Sequence, residues 1–235
     1  MSGWARKRFW MDAGVEPEAG GFGIRLDGRP VRTPGKLPLV VPTRALAELI
    51  AAEWAAQGEQ IHPETMPATR AANSAIEKVR ISQAEVAALV AGYGETDLLC
   101  YRAAHPEALV ARQSAAWDPL LDWAARRYGV RWQVTAGVMP VAQPPETVAR
   151  LAAEVAALDP FRLTAFHDLV ALPGSLVIGL AAAEGAFEAE SLWQAARLDE
   201  VWQAEQWGED AEAARMAEAR KLGFFEALRF YQACG

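Results

Sequence analysis

Between Phe22 and Thr33 the chain alternates apolar and other residues around an Asp27-Gly28 dipeptide, and after residue 62 that period does not return. This change of period constrains the fold more than any other feature. Phe22-Gly-Ile24-Arg-Leu26 reads as a half-buried strand, because side chains two apart share a face. Asp27-Gly28 then predicts a two-residue hairpin turn, since both of its positions need positive φ. Arg29-Pro-Val31-Arg-Thr33 follows it; Leu37–Val41 reads as a further strand and Arg8–Met11 as another. Thr43 is the N-cap of a helix. In it Leu46, Leu49, Ile50, Glu53 and Trp54 fall at helical spacing, which puts Trp54 on or beside the buried stripe. From His62 onward helix follows helix. Pro106 and Pro145 sit where a first helical position costs no hydrogen bond. Trp117, Leu120, Leu121, Ala124 and Tyr128 form one apolar face, and Val148, Leu151, Ala152, Val155 and Leu158 another. Only Trp132–Val141 is ambiguous, a short extended connection. The expected fold is α+β: a small mixed sheet-and-helix N-terminal domain, residues 1–62, then a larger all-α domain, residues 63–235.

Composition narrows the function. The 235 residues are 52% hydrophobic and 23% charged with a net charge of -7, too apolar for disorder and too acidic for a dedicated nucleic-acid binder. Nine tryptophans against four tyrosines suggest aromatic anchors in a core or at an interface. The most apolar stretch, Leu169–Ala183, falls short of the roughly 20 residues a membrane span needs, and Pro173-Gly174 interrupts it. No apolar segment of a secretory signal follows Arg6, Lys7 and Arg8. Cys100 and Cys234 are far apart and outside any CxxC pair, so both read as reduced thiols in a reducing compartment, the cytosol. Basic residues dominate the first 36 positions, whereas Asp199, Glu200, Glu205, Glu209, Asp210, Glu212 and Glu218 crowd the stretch 199–218.

A search for chemistry finds little. His62, His105 and His167 are the only histidines, and none has a second at metal-ligand spacing. His62 and His105 read as surface or capping residues. His167 and Asp168 are neighbours that should point about 100° apart on a helix, so no orienting pair is expected. Gly20-Gly21-Phe-Gly23 and Gly92-Tyr-Gly94 lack the rest of a nucleotide-binding loop. No metal and no cofactor is expected. A carboxylate-based hydrolase built on Glu95, Asp97 and the acidic stretch stays open as an alternative, as does a scaffold for some other complex. The acidic stretch is read as one continuous helical run. On a wheel of residues 198–212, Leu198, Val201, Trp202 and Glu205 share an arc with Glu209 and Glu212 close by. Such an aromatic and acidic arc suits a binding hot spot; Trp202 at this spacing serves equally as a core residue.

Several segments together resemble one family. They are Lys7-Arg-Phe-Trp10, Gly21-Phe22, Leu26-Asp-Gly-Arg-Pro-Val31-Arg-Thr-Pro34, Leu39-Val-Val-Pro-Thr43, Glu53-Trp54-Ala-Ala-Gln57, Met66-Pro-Ala-Thr-Arg70-Ala-Ala-Asn73, Glu95-Thr-Asp-Leu-Leu-Cys-Tyr101 and Leu198-Asp-Glu-Val-Trp202-Gln-Ala-Glu205-Gln-Trp207-Gly208. In order and over most of the chain, they resemble the assembly chaperone that binds the alpha subunit of the soluble head of the proton-translocating ATP synthase. Ala68 and Ala71 stand where leucines are expected, which touches local packing only. The resemblance implies a two-part monomer, no catalysis and no cofactor, a bacterial cytoplasmic setting with relatives in mitochondria, and the free alpha subunit as partner. With the acidic and aromatic arc it points to Glu200, Trp202, Glu205, Trp207 and Glu209 as partner-binding residues. Trp54, Asp27 and Gly28 are expected to be structural, and Arg70 and Asn73, one helical turn apart, to order the join between domains.

Overall fold

A computed structural model describes residues 7–137, 139–208 and 210–235. The chain forms two compact units. One comprises the chain through Gln83 with residues 159–165 and 229–235; the other comprises 84–158 and 166–228.

In the first unit the hairpin is present: β2 (Gly21–Leu26) pairs antiparallel with β3 (Arg29–Pro30). Asp27 (φ 48°) and Gly28 (φ 75°) form the turn, and the Asp27 carboxylate accepts from the amides of Met11 and Asp12. Those two amides hold its carboxyl below the usual range. β2 also pairs with β4 (Val40–Val41) and, along its full length, with β1 (Ala13–Glu18). Two strand expectations need correction. Arg8–Met11 is not a strand; a single bridge just before it joins Lys7 to Gln60. The partner of β2 is instead Ala13–Glu18, which contains Pro17. A proline is tolerated there because β1 lies at the sheet edge, where a missing N–H breaks no ladder bond.

Helix α1 (Arg44–Ala55) starts as expected, with the Thr43 hydroxyl accepting from Leu46 N at 3.1 Å. It packs on the sheet through Leu46, Ala47, Ile50 and Ala51. A 3₁₀ turn (Pro63–Thr65), α2 (Pro67–Ser74) and a π-helical turn (Ala75–Val79) follow. Strand periodicity ends near residue 62, yet the unit continues to Gln83, because Ala68, Ala72, Ala75 and Ile76 close the same core as Trp10, Ile24 and Leu39.

The family-like segments meet here. The Arg8 guanidinium donates to the carbonyls of Trp10, Ala55 and Gln57, which caps the C-terminal end of α1. Trp10 meets Trp54 edge-on at 5.2 Å, and Trp54 is half-buried against the core. Glu53 accepts from the amides of Ala68 and Thr69 and from the Thr69 hydroxyl. Gln57 donates to Glu53 O and Thr65 Oγ1 and accepts from His62 N. Arg70 is exposed; Asn73 is half-buried with its Oδ1 shielded from solvent.

The second unit holds α3 (Gln83–Ala91), the two-stranded parallel pair β5 (Tyr101–Arg102) and β6 (Thr135–Ala136), and α4 (Glu107–Tyr128). Then come α5 (Pro145–Ala156), α6 (Pro160–Ala171, its first six residues counted with the first unit), α7 (Leu176–Ala183), α8 (Ala189–Ala196), α9 (Leu198–Trp207) and α10 (Ala211–Ala233, its last five residues counted with the first unit). Helix α7 is buried almost all round, with Leu176, Val177, Ile178 and Ala181 inaccessible. That is the fate of a short helix hydrophobic on every face. Among the described residues no helix is long and apolar enough to cross a membrane.

Candidate functional site

The acidic and aromatic stretch is two helices, not one run. Gly208 adopts φ 93°, a conformation that ends α9. Helix α10 then restarts with the Asp210 carboxylate accepting from Glu212 N at 2.7 Å. Glu212 therefore does not continue the arc of α9. Glu209 lies outside the described residues.

Helices α8, α9 and the first half of α10 enclose an open groove of about 900 Å³. Trp193, Val201, Ala204, Trp207, Ala214 and Met216 are among the side chains that line it. A second groove, about 640 Å³, lies on the other flank of α9, between it and Tyr101, His105, Pro106 and Leu109. Trp207 borders both. It is 79% exposed, Val201 48% and Met216 59%. Large side chains left in water around a groove mark an interaction surface better than scattered ones do.

The carboxylates of α9 are paired within the molecule. Arg112 Nη1 donates to both Glu205 oxygens, at 2.7 and 3.0 Å, and its guanidinium lies 4.9 Å from the Trp202 ring centroid. Arg197 donates to Glu200 at 2.8 Å. Asp199 accepts from Gln113 Nε2 at 2.8 Å, while Gln113 Oε1 accepts from Ala103 N. Trp202 is half-buried beneath Arg112, and Trp117, fully buried in α4, donates its indole N–H to Ala195 O of α8. Glu200, Trp202, Glu205 and Trp207 are thus on one helix; arginines engage the first three, whereas Trp207 is left mostly in water. The reading of the sequence missed Arg112 and Gln113. A signal existed: Gln113 occupies the apolar register of α4, four residues before Trp117, and is itself buried.

The residues of the hydrolase alternative do not assemble. Asp97 is fully buried and accepts from Leu99 N, Ser175 Oγ and Val177 N at 2.8–3.0 Å. It caps the start of α7. Burial pushes its carboxyl up to about 6 against the pull of these hydrogen bonds. Glu95 is exposed. Burial also raises the Cys100 thiol to about 12, far from a reactive thiolate. His167 does pair with Asp168, contrary to expectation: Nδ1 lies 2.8 Å from Oδ1, and that hydrogen bond raises the imidazole. Adjacent side chains 100° apart at the backbone can still curl together when both are partly exposed. Among the described residues no three His, Cys, Asp or Glu side chains are grouped to hold a metal ion.

Residues 7–125 match the profile of the ATP12 chaperone proteins. The chain belongs to the ATP12 chaperone family. Solved structures extend the likeness over the remainder. Atp12 from Paracoccus denitrificans, known as the unmodified protein and as a single-residue mutant, is 51% identical with a TM-score of 0.95, over 97% of this chain and 98% of that one. A protein from Agrobacterium tumefaciens is 45% identical with a TM-score of 0.93, over 97% of this chain and 86% of that one. The mitochondrial atp12 protein of Schizosaccharomyces pombe is 26% identical over 219 residues, 87% of this chain and 75% of that protein. The profile match stops inside α4, so membership rests on the sheet unit and early helices, while the α8–α10 face comes under the structural likeness.

Proposed function

We propose that the protein is an ATP synthase assembly chaperone that binds the free alpha subunit of the soluble head through the α8–α10 face. It shields that subunit until the beta subunit replaces the chaperone, acts as a monomer in the bacterial cytoplasm, and catalyses nothing. Family membership and the resemblance of the motifs support the chaperone role. The observation that carries the choice of face is Trp207, 79% exposed at the wall shared by two grooves. A tryptophan buries roughly 150–250 Å² when covered, and hot-spot residues of this kind cost about 2 kcal/mol or more when truncated. Val201 and Met216 widen the apolar contact. Glu200 belongs to its rim, and Glu209 joins it on the sequence pattern alone.

Shielding needs no ATP. A chaperone present above its dissociation constant stabilises the free subunit by RT ln(1 + [L]/Kd), and a patch of roughly 1,600 Å² spans the affinities required. The test is co-expression with the aggregation-prone alpha subunit, scored as soluble alpha subunit and as co-purified complex. Wild-type protein is expected to keep it in solution, and Trp207→Ala and Glu205→Lys to lose it while keeping the wild-type melting curve. Retention of the client by both variants would refute this face. A wild-type protein that leaves the alpha subunit insoluble would refute the client, and turnover in a hydrolase screen would restore the enzyme alternative.

A further inference from the structure

Helix α9 is held by a clasp rather than by a core. None of its ten residues is buried, whereas most helices in proteins are stabilised by packing one apolar face. Two adjacent residues of α4 supply what is missing. Gln113 grips Asp199 in the first turn, and Arg112 grips Glu205 two turns later while stacking on Trp202.

We propose that Arg112 is a positioning residue for client docking: through Glu205 and Trp202 it holds α9 between the two grooves, so that Trp207 stands at their common wall. This rests on the α8–α10 face being the docking surface, and adds a division of labour. Trp207 touches the client; Glu205 and Trp202 face inward. The planar guanidinium suits the task, because it can lie on an indole face and donate from its edge to a carboxylate at once. A lysine offers only one of the two contacts well. The pair is about half exposed, 49% for Arg112 and 42% for Glu205, so its attraction is screened and modest. It matters because α9 has no buried face to keep it in place when the clasp opens.

The experiment compares wild type, Arg112→Glu, and the charge swap Arg112→Glu with Glu205→Arg. Two readouts are taken: amide exchange along α9, and retention of the alpha subunit on co-purification. Arg112→Glu is expected to speed exchange in α9 about fivefold, the scale of one modest ion pair, and to weaken client retention by a similar factor. The swap is expected to restore both. Unchanged exchange in Arg112→Glu overturns the clasp, and fast exchange with undiminished client binding overturns the positioning role. A swap that restores exchange but not binding assigns Glu205 to the client contact and overturns the inward role. If wild-type protein retains no alpha subunit, the docking reading fails, while the exchange comparison still decides the clasp.

Discussion

Removing the Glu53 carboxylate is the most exacting test of how the first unit is built. Helix α2 begins at Pro67, and the residue at its cap position, Met66, offers no side-chain acceptor. The orphan amides of the first turn are met from another helix: Glu53 Oε1 accepts from Ala68 N at 2.7 Å, and Oε2 accepts from Thr69 N at 2.8 Å and Thr69 Oγ1 at 2.7 Å. Ala68 and Thr69 are 5% and 6% exposed, so water cannot readily replace the carboxylate. Hydrogen bonds to a charged acceptor contribute about 1.5–3 kcal/mol each, not fully additively. Glu53→Ala should therefore cost about 3–5 kcal/mol. Glu53→Gln keeps one oxygen but turns an amide NH₂ toward a backbone donor, so it should cost about 1–2 kcal/mol. Urea unfolding followed by far-UV circular dichroism measures both, and amide exchange at residues 68 and 69 localises the loss. If Glu53→Ala costs under about 1 kcal/mol, or Gln costs as much as Ala, the bridging cap does not hold α2 in place.

Asp97 carries a pH signature. Its native carboxyl, at about 6, lies above the ordinary 3.8, so the folded state binds the proton more tightly than the unfolded one. The stability this contributes is full below about pH 4 and is lost as pH rises through about 6. Asp97→Asn should flatten that part of a stability–pH curve measured by chemical denaturation. Gly208→Ala meets open space but keeps φ near 93°; the strain should cost about 1–3 kcal/mol, read as a lower Tm. Trp207→Ala should leave Tm within error of wild type, because the ring is 79% exposed, while abolishing capture of the alpha subunit.

Local rules made the first unit readable. A turn that demands positive φ twice identifies itself as Asp27-Gly28, and a hydroxyl before a helical stripe identifies Thr43 as its cap. Apolar spacing likewise gave α4 and α5 their buried faces. The strand Ala13–Glu18 escaped because an edge strand needs little hydrophobicity and tolerates Pro17. The break at Gly208 escaped because a helical wheel assumes a continuous axis, and a glycine among helix-forming residues does not announce its φ. The pairing of His167 with Asp168 was missed for a related reason: backbone angles do not fix where flexible side chain ends meet.

What the sequence determined by itself was the α+β division into strand-rich and helical segments, and the likeness to a chaperone family, because both depend on residue types at fixed spacing along the chain. Tertiary structure alone decided which side chains of α9 are free. Spacing puts Trp202, Glu205 and Trp207 on one short helix, but Arg112 and Gln113, some ninety residues earlier, engage the carboxylates and cover the first indole, leaving the last in water. Exposure depends on what the rest of the chain brings alongside, and no local pattern encodes that.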